Sequence, residues 1–123
     1  MPKLIKINDK DIYTIILYDT PGSESYRYSL KPYFKNVDGI LLLFDLSNKS
    51  SFDGVNNWMD TIKELSKENN RKEDDIIIYL IGNKLDLVEK DNEVIDEMAI
   101  KDLAEKLGIK YYEISCKWNL NIE

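Results

Sequence analysis

The stretch Ile76-Ile77-Ile78-Tyr79-Leu80-Ile81-Gly82-Asn83-Lys84-Leu85-Asp86 decides the fold. Its first six residues are apolar or aromatic without interruption. Continuous rather than alternating apolarity predicts a strand of the kind found in parallel sheets, covered on both faces. Gly82 closes the run, and a polar loop follows at once. Gly39-Ile40-Leu41-Leu42-Leu43-Phe44 is a second run of the same kind, ending at Asp45. In sheets of this class, ligands sit beyond the carboxyl ends of the strands. The residues just after each strand are therefore the candidates for chemistry.

Working outward, residues 3–7 predict a short strand carrying Ile5 and Ile7, and Asn8-Asp9-Lys10 predicts a turn. Residues 12–18 are β-branched and aromatic and predict a second strand, paired antiparallel with the first. Asp19-Thr20-Pro21-Gly22 breaks it, and a short helix is expected over residues 25–34. Phe52, Val55, Met59, Ile62 and Leu65 recur at helical spacing, so residues 51–67 predict a helix capped by Ser50 or Ser51. Residues 69–73 form a polar linker. Ile100, Leu103, Ala104 and Leu107 place a helix over residues 96–107, stopped by Gly108. Residues 111–114 give a last strand. After the hairpin, strands and helices alternate, which predicts an α/β layered fold with a mostly parallel sheet. Neither an internal repeat nor an interdomain linker interrupts residues 1–123, which are read as one domain.

Composition narrows the function classes. The 123 residues are 43% apolar and 33% charged, which suits a packed domain. The net charge of −6 runs against a nucleic-acid interface or a polybasic membrane patch. With no histidine, triad hydrolysis and histidine-ligated zinc are excluded, and with Cys116 alone so is an internal disulfide. No apolar run approaches the roughly 18 residues that span a bilayer. Lys3 and Lys6 interrupt the only apolar pattern near the start, so no signal peptide is expected. Asn48-Lys49-Ser50 is read as a chance glycosylation sequon. The acidic residues Glu73-Asp74-Asp75 read as a solvated turn, and Glu89, Asp91, Glu93, Asp96 and Glu97 as surface, because their spacing does not fit a calcium loop. Trp58 and Tyr33 read as packing residues.

Three strand ends carry motifs. The strand over residues 12–18 leads into Asp19-Thr20-Pro21-Gly22, the strand at Ile76 into Asn83-Lys84-Leu85-Asp86, and the last strand into Ser115-Cys116-Lys117. Singly, each is a common loop pattern. In this order, and at strand ends, they resemble the magnesium and γ-phosphate motif, the guanine motif and the Ser-Ala-Lys loop of Ras-like GTPases. The flanks resemble the Rab type: Tyr18-Asp19-Thr20-Pro21-Gly22-Ser23-Glu24 is similar to Trp-Asp-Thr-Ala-Gly-Gln-Glu, and Ser51-Phe52, Trp58 and Asn119-Leu120-Asn121-Ile122-Glu123 are similar to Rab text as well. The resemblance covers nearly the whole chain.

The resemblance implies a P-loop NTPase-type three-layer sandwich, a guanine nucleotide (GTP or GDP) with Mg2+ as ligands, and a switch that cycles between two nucleotide states in vesicle traffic. It assigns Asp86 to the N1–H and N2 amine of guanine, a pairing that adenine cannot make. It assigns Asn83 to the loop and base edge, the Lys84 and Lys117 stems to the ring faces, and backbone N–H groups around Ser115 and Cys116 to guanine O6. Asp19 is assigned to magnesium through a water, and the Gly22 N–H to a γ-phosphate oxygen. Effector and regulator proteins are expected to bind the switch region over residues 23–34.

Departures from the pattern carry expectations of their own. No Gly-Lys-Ser or Gly-Lys-Thr occurs, so the phosphate-binding loop, first strand, first helix and last helix of the family are expected to be lacking. About four charge-assisted hydrogen bonds to phosphate, each worth roughly 1.5–3 kcal/mol, go with that loop. Their loss is expected to lower affinity for GTP by about 10⁴-fold. Two apolar strands are expected to meet across the gap or leave edges unpaired, with one sheet face bare. Ser23 occupies the position of the glutamine that orients the attacking water, so hydrolysis is expected to be slow and no residue is assigned as catalytic. Pro21 removes one N–H beside the γ-phosphate. No terminal prenylation cysteine is present, so a cytoplasmic chain without a membrane anchor is expected. An impaired, partial Rab-like GTPase and a degenerate, non-enzymatic interaction module are the two readings that remain.

Overall fold

The computed structural model describes residues 2–6, 11–72, 75–88 and 94–122. Ile7, the predicted turn at Asn8-Asp9-Lys10, the acidic Glu73 and Asp74, and Glu89, Asp91, Glu93 and Glu123 lie outside the described residues. The chain divides into two units, Met1–Lys35 and Asn36–Glu123.

In the first unit, β1 (Pro2–Lys6) pairs antiparallel with β2 (Ile12–Ile16), in register from Pro2 opposite Ile16 to Lys6 opposite Ile12. The antiparallel pairing is as the β-branched and aromatic run predicted, but β2 ends two residues early. Leu17 and Tyr18 leave the ladder, and the Tyr18 ring packs against Tyr33 at 4.9 Å between centroids. Tyr33, read as a packing residue, makes that contact while remaining exposed. The helix expected over residues 25–34 is mostly a 3-10 helix, Glu24–Leu30, with a single α turn, α1 (Lys31–Phe34), after it. Pro32 supplies the reason. It has no N–H to return to the carbonyl four residues back, so an α ladder cannot run through this segment.

In the second unit, β3 (Gly39–Asp45), β4 (Ile77–Asn83) and β5 (Lys110–Glu113) form a parallel sheet in the order β3-β4-β5. The register sets Asp45 opposite Asn83 and Gly82 opposite Glu113, so the functional ends of the three strands line up. Three helices connect them: α2 (Lys49–Asp53), α3 (Val55–Glu68) and α4 (Glu97–Leu107). Leu42 and Phe44 of β3 and Leu80 of β4 are buried on one face. Phe44 packs against Phe52 of α2 at 5.3 Å and against Tyr111 of β5 at 6.2 Å. Val55, Met59, Ile62 and Leu65 bury the inner side of α3 at the expected spacing, and Ile100 and Ala104 do so for α4. On the other face, Leu41, Leu43, Ile77 and Tyr112 are exposed. The apolar run of β3 is thus buried at alternate residues and not along its whole length.

Three local readings are corrected. The helix expected over residues 51–67 is two, α2 and α3, separated at Gly54, whose lack of a side chain makes it the weak point of a helical run. The cap is neither Ser50 nor Ser51 but Asn48, whose side chain faces the Ser51 N–H at 3.4 Å. Ser51 instead ties the helix start to the strand end: its hydroxyl accepts from the Asp45 N–H at 2.9 Å and donates to the Asn48 carbonyl at 2.7 Å. Gly82 does not close β4 but lies inside it. A Cβ there would stand 2.8 Å from the Tyr111 hydroxyl and 2.9 Å from Leu46 Cδ2, so the close approach of β5 and the β3 exit requires glycine. Helix α4 starts and stops as read. The Asp96 side chain accepts from the Met98 N–H at 3.0 Å, and Gly108 ends the helix at φ +68°.

Candidate functional site

Two loops leave the sheet side by side, one from the end of β4 and one from the end of β5. Backbone bonds join them. The Ile114 N–H donates to the Gly82 carbonyl at 2.8 Å, and the Leu85 N–H donates to the Ile114 carbonyl at 3.1 Å. Lys84 sits between, at φ 64° and ψ 37°, a left-handed conformation rarely taken by a side chain of its length. That turn swings the chain into a short 3-10 turn, Leu85–Leu87, which carries Asp86.

Asn83 and Asp86 reach across to the second loop. Asn83 Oδ1 accepts from the Lys84 N–H at 2.7 Å and, more weakly, from the Cys116 N–H at 3.4 Å. Asp86 Oδ1 accepts from the Ser115 hydroxyl at 2.7 Å. The Asp86 side chain is only 5% exposed, and Ser115 is fully buried. Lys117 Nζ lies 3.8 Å from Asp86 Oδ2, the outer limit of an ion pair. Beyond Ser115 the chain folds back on itself. Ser115 and Leu120 exchange two backbone bonds, the Trp118 N–H donates to Ser115 Oγ at 3.1 Å, and the Asn121 side chain donates to the Glu113 carbonyl at 2.9 Å. Asn119 and Asn121 both take positive φ, which their short polar side chains tolerate. Cys116 is exposed.

The structure therefore brings together Asn83, Lys84, Asp86, Ser115, Cys116 and Lys117. It also adds residues to which the sequence gave no signal strong enough to assign. Asp45, at the end of β3, accepts a 2.7 Å ion pair from Lys84 Nζ through Oδ2, and its Oδ1 is held by the Ser47 N–H at 2.9 Å and the Ser47 hydroxyl at 2.6 Å. Partial burial pushes the Asp45 carboxyl up, but the bonds from Lys84 and Ser47 outweigh it and hold the group below its usual range. The Lys84 ammonium is raised by the same contact. The sequence showed an acidic residue ending an apolar run; its place opposite Asn83 comes only from the strand register.

Asp19, Gly22 and Ser23 belong to the first unit, in the exposed segment after β2. Gly22 has open space where a Cβ would stand and is not among the glycines at positive φ, so local packing does not explain its identity. The Ser23 and Ser25 hydroxyls share a 2.7 Å hydrogen bond, and the Tyr26 N–H donates to the Ser23 carbonyl at 3.0 Å. Among the described residues no group of three or more acidic or cysteine side chains is placed to hold a metal, and no helix is long and apolar enough to cross a membrane.

Chemically, the loop pair presents a nearly buried carboxylate with the Lys117 ammonium 3.8 Å away and the Asn83 amide bonded across to the second loop. A carboxylate so placed accepts from adjacent N–H donors on a ligand edge.

Comparison with known proteins bears on this arrangement. The family model described as "Ras family" matches residues 1–123. The chain is 34% identical over 122 residues to the GTP-binding protein yptV2 of Volvox carteri, covering 98% of this chain and 53% of that protein. It is 34% identical over 121 residues to the Ras-related protein Rab-3A of Homo sapiens, covering 98% and 51%. It is 36% identical over 107 residues to the Ras-related protein Rab-8B of Dictyostelium discoideum, covering 87% and 49%. The chain spans about half the length of the curated relatives it matches. With a parallel sheet whose strand ends carry these loops, and a match along its whole length, the chain belongs to the Ras family and is of the Rab type within it.

Proposed function

We propose that residues 1–123 form part of a guanine-nucleotide-binding domain, with the paired β4 and β5 loops as its base-recognition site. The observation that carries this reading is the Asp86 carboxylate, nearly excluded from water and held by Ser115 at 2.7 Å. A buried carboxylate costs several kcal/mol unless donors meet it. The Ser115 hydroxyl supplies one. The N1–H and N2 amine of guanine supply two more, directed along a single edge. Adenine turns a lone pair toward the same oxygen and is rejected.

In this reading Asn83 holds the two loops at the base edge, the Lys84 and Lys117 stems lie along the ring faces, and the Cys116 N–H meets O6. The substitution of cysteine for alanine leaves that N–H unchanged. By their place in motif order, Asp19 and Gly22 take the phosphate-side roles. A lone exposed carboxylate such as Asp19 suits magnesium that keeps its waters and takes its other ligands from phosphate. GTP or GDP with Mg2+ is then the ligand, and the segment from the Ser23–Ser25 bond to Phe34 is the surface read by effectors and regulators. Ser23 favours slow hydrolysis, and the reading of the chain as a partner-binding module that does not turn GTP over rests on that residue. A cytoplasmic setting accords with the single cysteine.

Titration of the chain with guanosine, inosine and adenosine, followed by amide NMR shifts, tests the base site without the phosphates. Guanosine is expected to shift Asn83, Asp86 and Cys116, inosine to bind more weakly for want of the N2 amine, and adenosine to do nothing. Equal binding of guanosine and adenosine would overturn the proposal.

A further inference from the structure

Lys84 stands in the left-handed region, its backbone N–H bound to the Asn83 side chain and its ammonium bound to Asp45. The partner of that ammonium comes from a different strand. Asp45 ends β3, directly across the sheet from Asn83, the last residue of β4. Its carboxylate is itself fixed: Oδ1 takes two bonds from Ser47, leaving Oδ2 aimed at Lys84 Nζ. The Asp45 backbone is held as well, its N–H on the Ser51 hydroxyl at 2.9 Å, and the Leu46 N–H bonds the Asn83 carbonyl at 3.0 Å. A lysine stem has several free rotors and loses that freedom on ordering. Here both of its ends are tied, one by the left-handed backbone and one by a carboxylate that cannot turn away. The stem is thereby held along a line across the loop before any ligand arrives, which lowers the ordering cost of binding.

We infer that Asp45 is a positioning residue for the base site, clamping the Lys84 ammonium so that the lysine stem is set as one wall for the flat ligand. This rests on the guanine reading of the loop pair. Asp45 touches no ligand itself and acts only through Lys84. Two consequences separate it from an ordinary structural contact. Its effect vanishes when Lys84 has no charge to clamp, and it weakens as salt screens the pair.

The test is guanosine affinity, measured by NMR titration of the 123-residue chain at low and high salt, for the wild type, Asp45→Asn, Lys84→Met and the double variant. Asp45→Asn is expected to weaken guanosine by about threefold to fivefold at low salt, the range of a half-exposed ion pair, and by less at 0.5 M salt. In the Lys84→Met background it is expected to change nothing further. Ser47→Ala, which removes the hydroxyl bond to Oδ1 but leaves the Ser47 N–H bond and both charges, is expected to give a smaller loss in the same direction, and it serves if Asp45→Asn does not fold. Wild-type affinity in Asp45→Asn, or the same loss with and without Lys84, overturns the inference while leaving the base site standing. A wild-type chain that fails to distinguish guanosine from adenosine overturns the base site, and this inference with it.

Discussion

The Ser115 hydroxyl donates to Asp86 Oδ1 at 2.7 Å, and both groups are shut off from water. Ser115 also accepts from the Trp118 N–H, so one small side chain joins the β4 loop, the β5 loop and the turn beyond it. Replacing it with alanine leaves Asp86 buried with one donor fewer and the Trp118 N–H without its acceptor. Ser115→Ala is expected to lower stability by about 1–3 kcal/mol, the cost of stranding a buried polar group. Urea denaturation followed by Trp fluorescence measures it. A change under a few tenths of a kcal/mol would show that water replaces the hydroxyl at no cost.

Gly82→Ala tests the close approach of β4 to its neighbours. The new methyl carbon would lie 2.8 Å from the Tyr111 hydroxyl and 2.9 Å from Leu46 Cδ2. Tyr111 cannot swing away freely, because its hydroxyl donates to Glu113 at 2.8 Å. Overpacking of this kind costs about 1–3 kcal/mol. The urea midpoint is expected to fall accordingly, and the Ile114 amide bonded to the Gly82 carbonyl is expected to exchange faster with solvent.

Much of this was legible in the chain itself. Apolar runs at 39–44 and 76–81 announced the strands and pointed to the loops after them, although they are buried on one face more than on the other. Helix α4 was legible in extent and in its stop at Gly108, whereas the Asp96 cap at its start was read only as a surface acid. What was not legible depends on contacts distant in sequence. Asp45 meets Lys84 only because β3 and β4 are in register, and no local pattern reports that. Gly82 was read as a strand end because a glycine usually punctuates, whereas here Tyr111 and Leu46 demand it. The Gly54 break and the Asn48 cap were hidden by strong helical spacing on either side, and Pro32 decided the 3-10 segment through a missing donor. The loops carrying Asn83, Asp86 and Ser115 were readable as neighbours because parallel order puts successive strand ends on one edge.

Acid stability should carry the mark of Asp45. Its folded-state carboxyl lies below the ordinary value of 3.8, so the group contributes stability above that value and loses it as pH falls through the folded one. The unfolding midpoint of the wild type is expected to drop more steeply below about pH 4 than that of Asp45→Asn, with the two curves parallel near neutrality. Identical slopes from pH 5 to pH 2 would show that Lys84 and Ser47 do not hold the charge in solution.

Tyr111 sets the opposite limit. Burial first, and then the bond its hydroxyl donates to the Glu113 carboxylate, raise its ionisation well above the usual phenol range. A phenolate there would face a carboxylate at hydrogen-bond distance with no proton between them. Because the folded value is the higher, the stabilisation is complete below about pH 10, where the unfolded phenol stays neutral, and is lost as pH rises beyond it. Tyr111 therefore ionises only after the sheet opens. Ultraviolet difference titration is expected to show the Tyr111 ionisation as a cooperative step coincident with loss of the far-ultraviolet circular dichroism. Tyr111→Phe should lose about 1 kcal/mol at neutral pH for the missing hydrogen bond, and its stability should decline less between pH 9.5 and 11.5. If wild type and Tyr111→Phe decline together, the hydroxyl is ionising in the folded chain, and the Tyr111–Glu113 bond does not hold the end of β5.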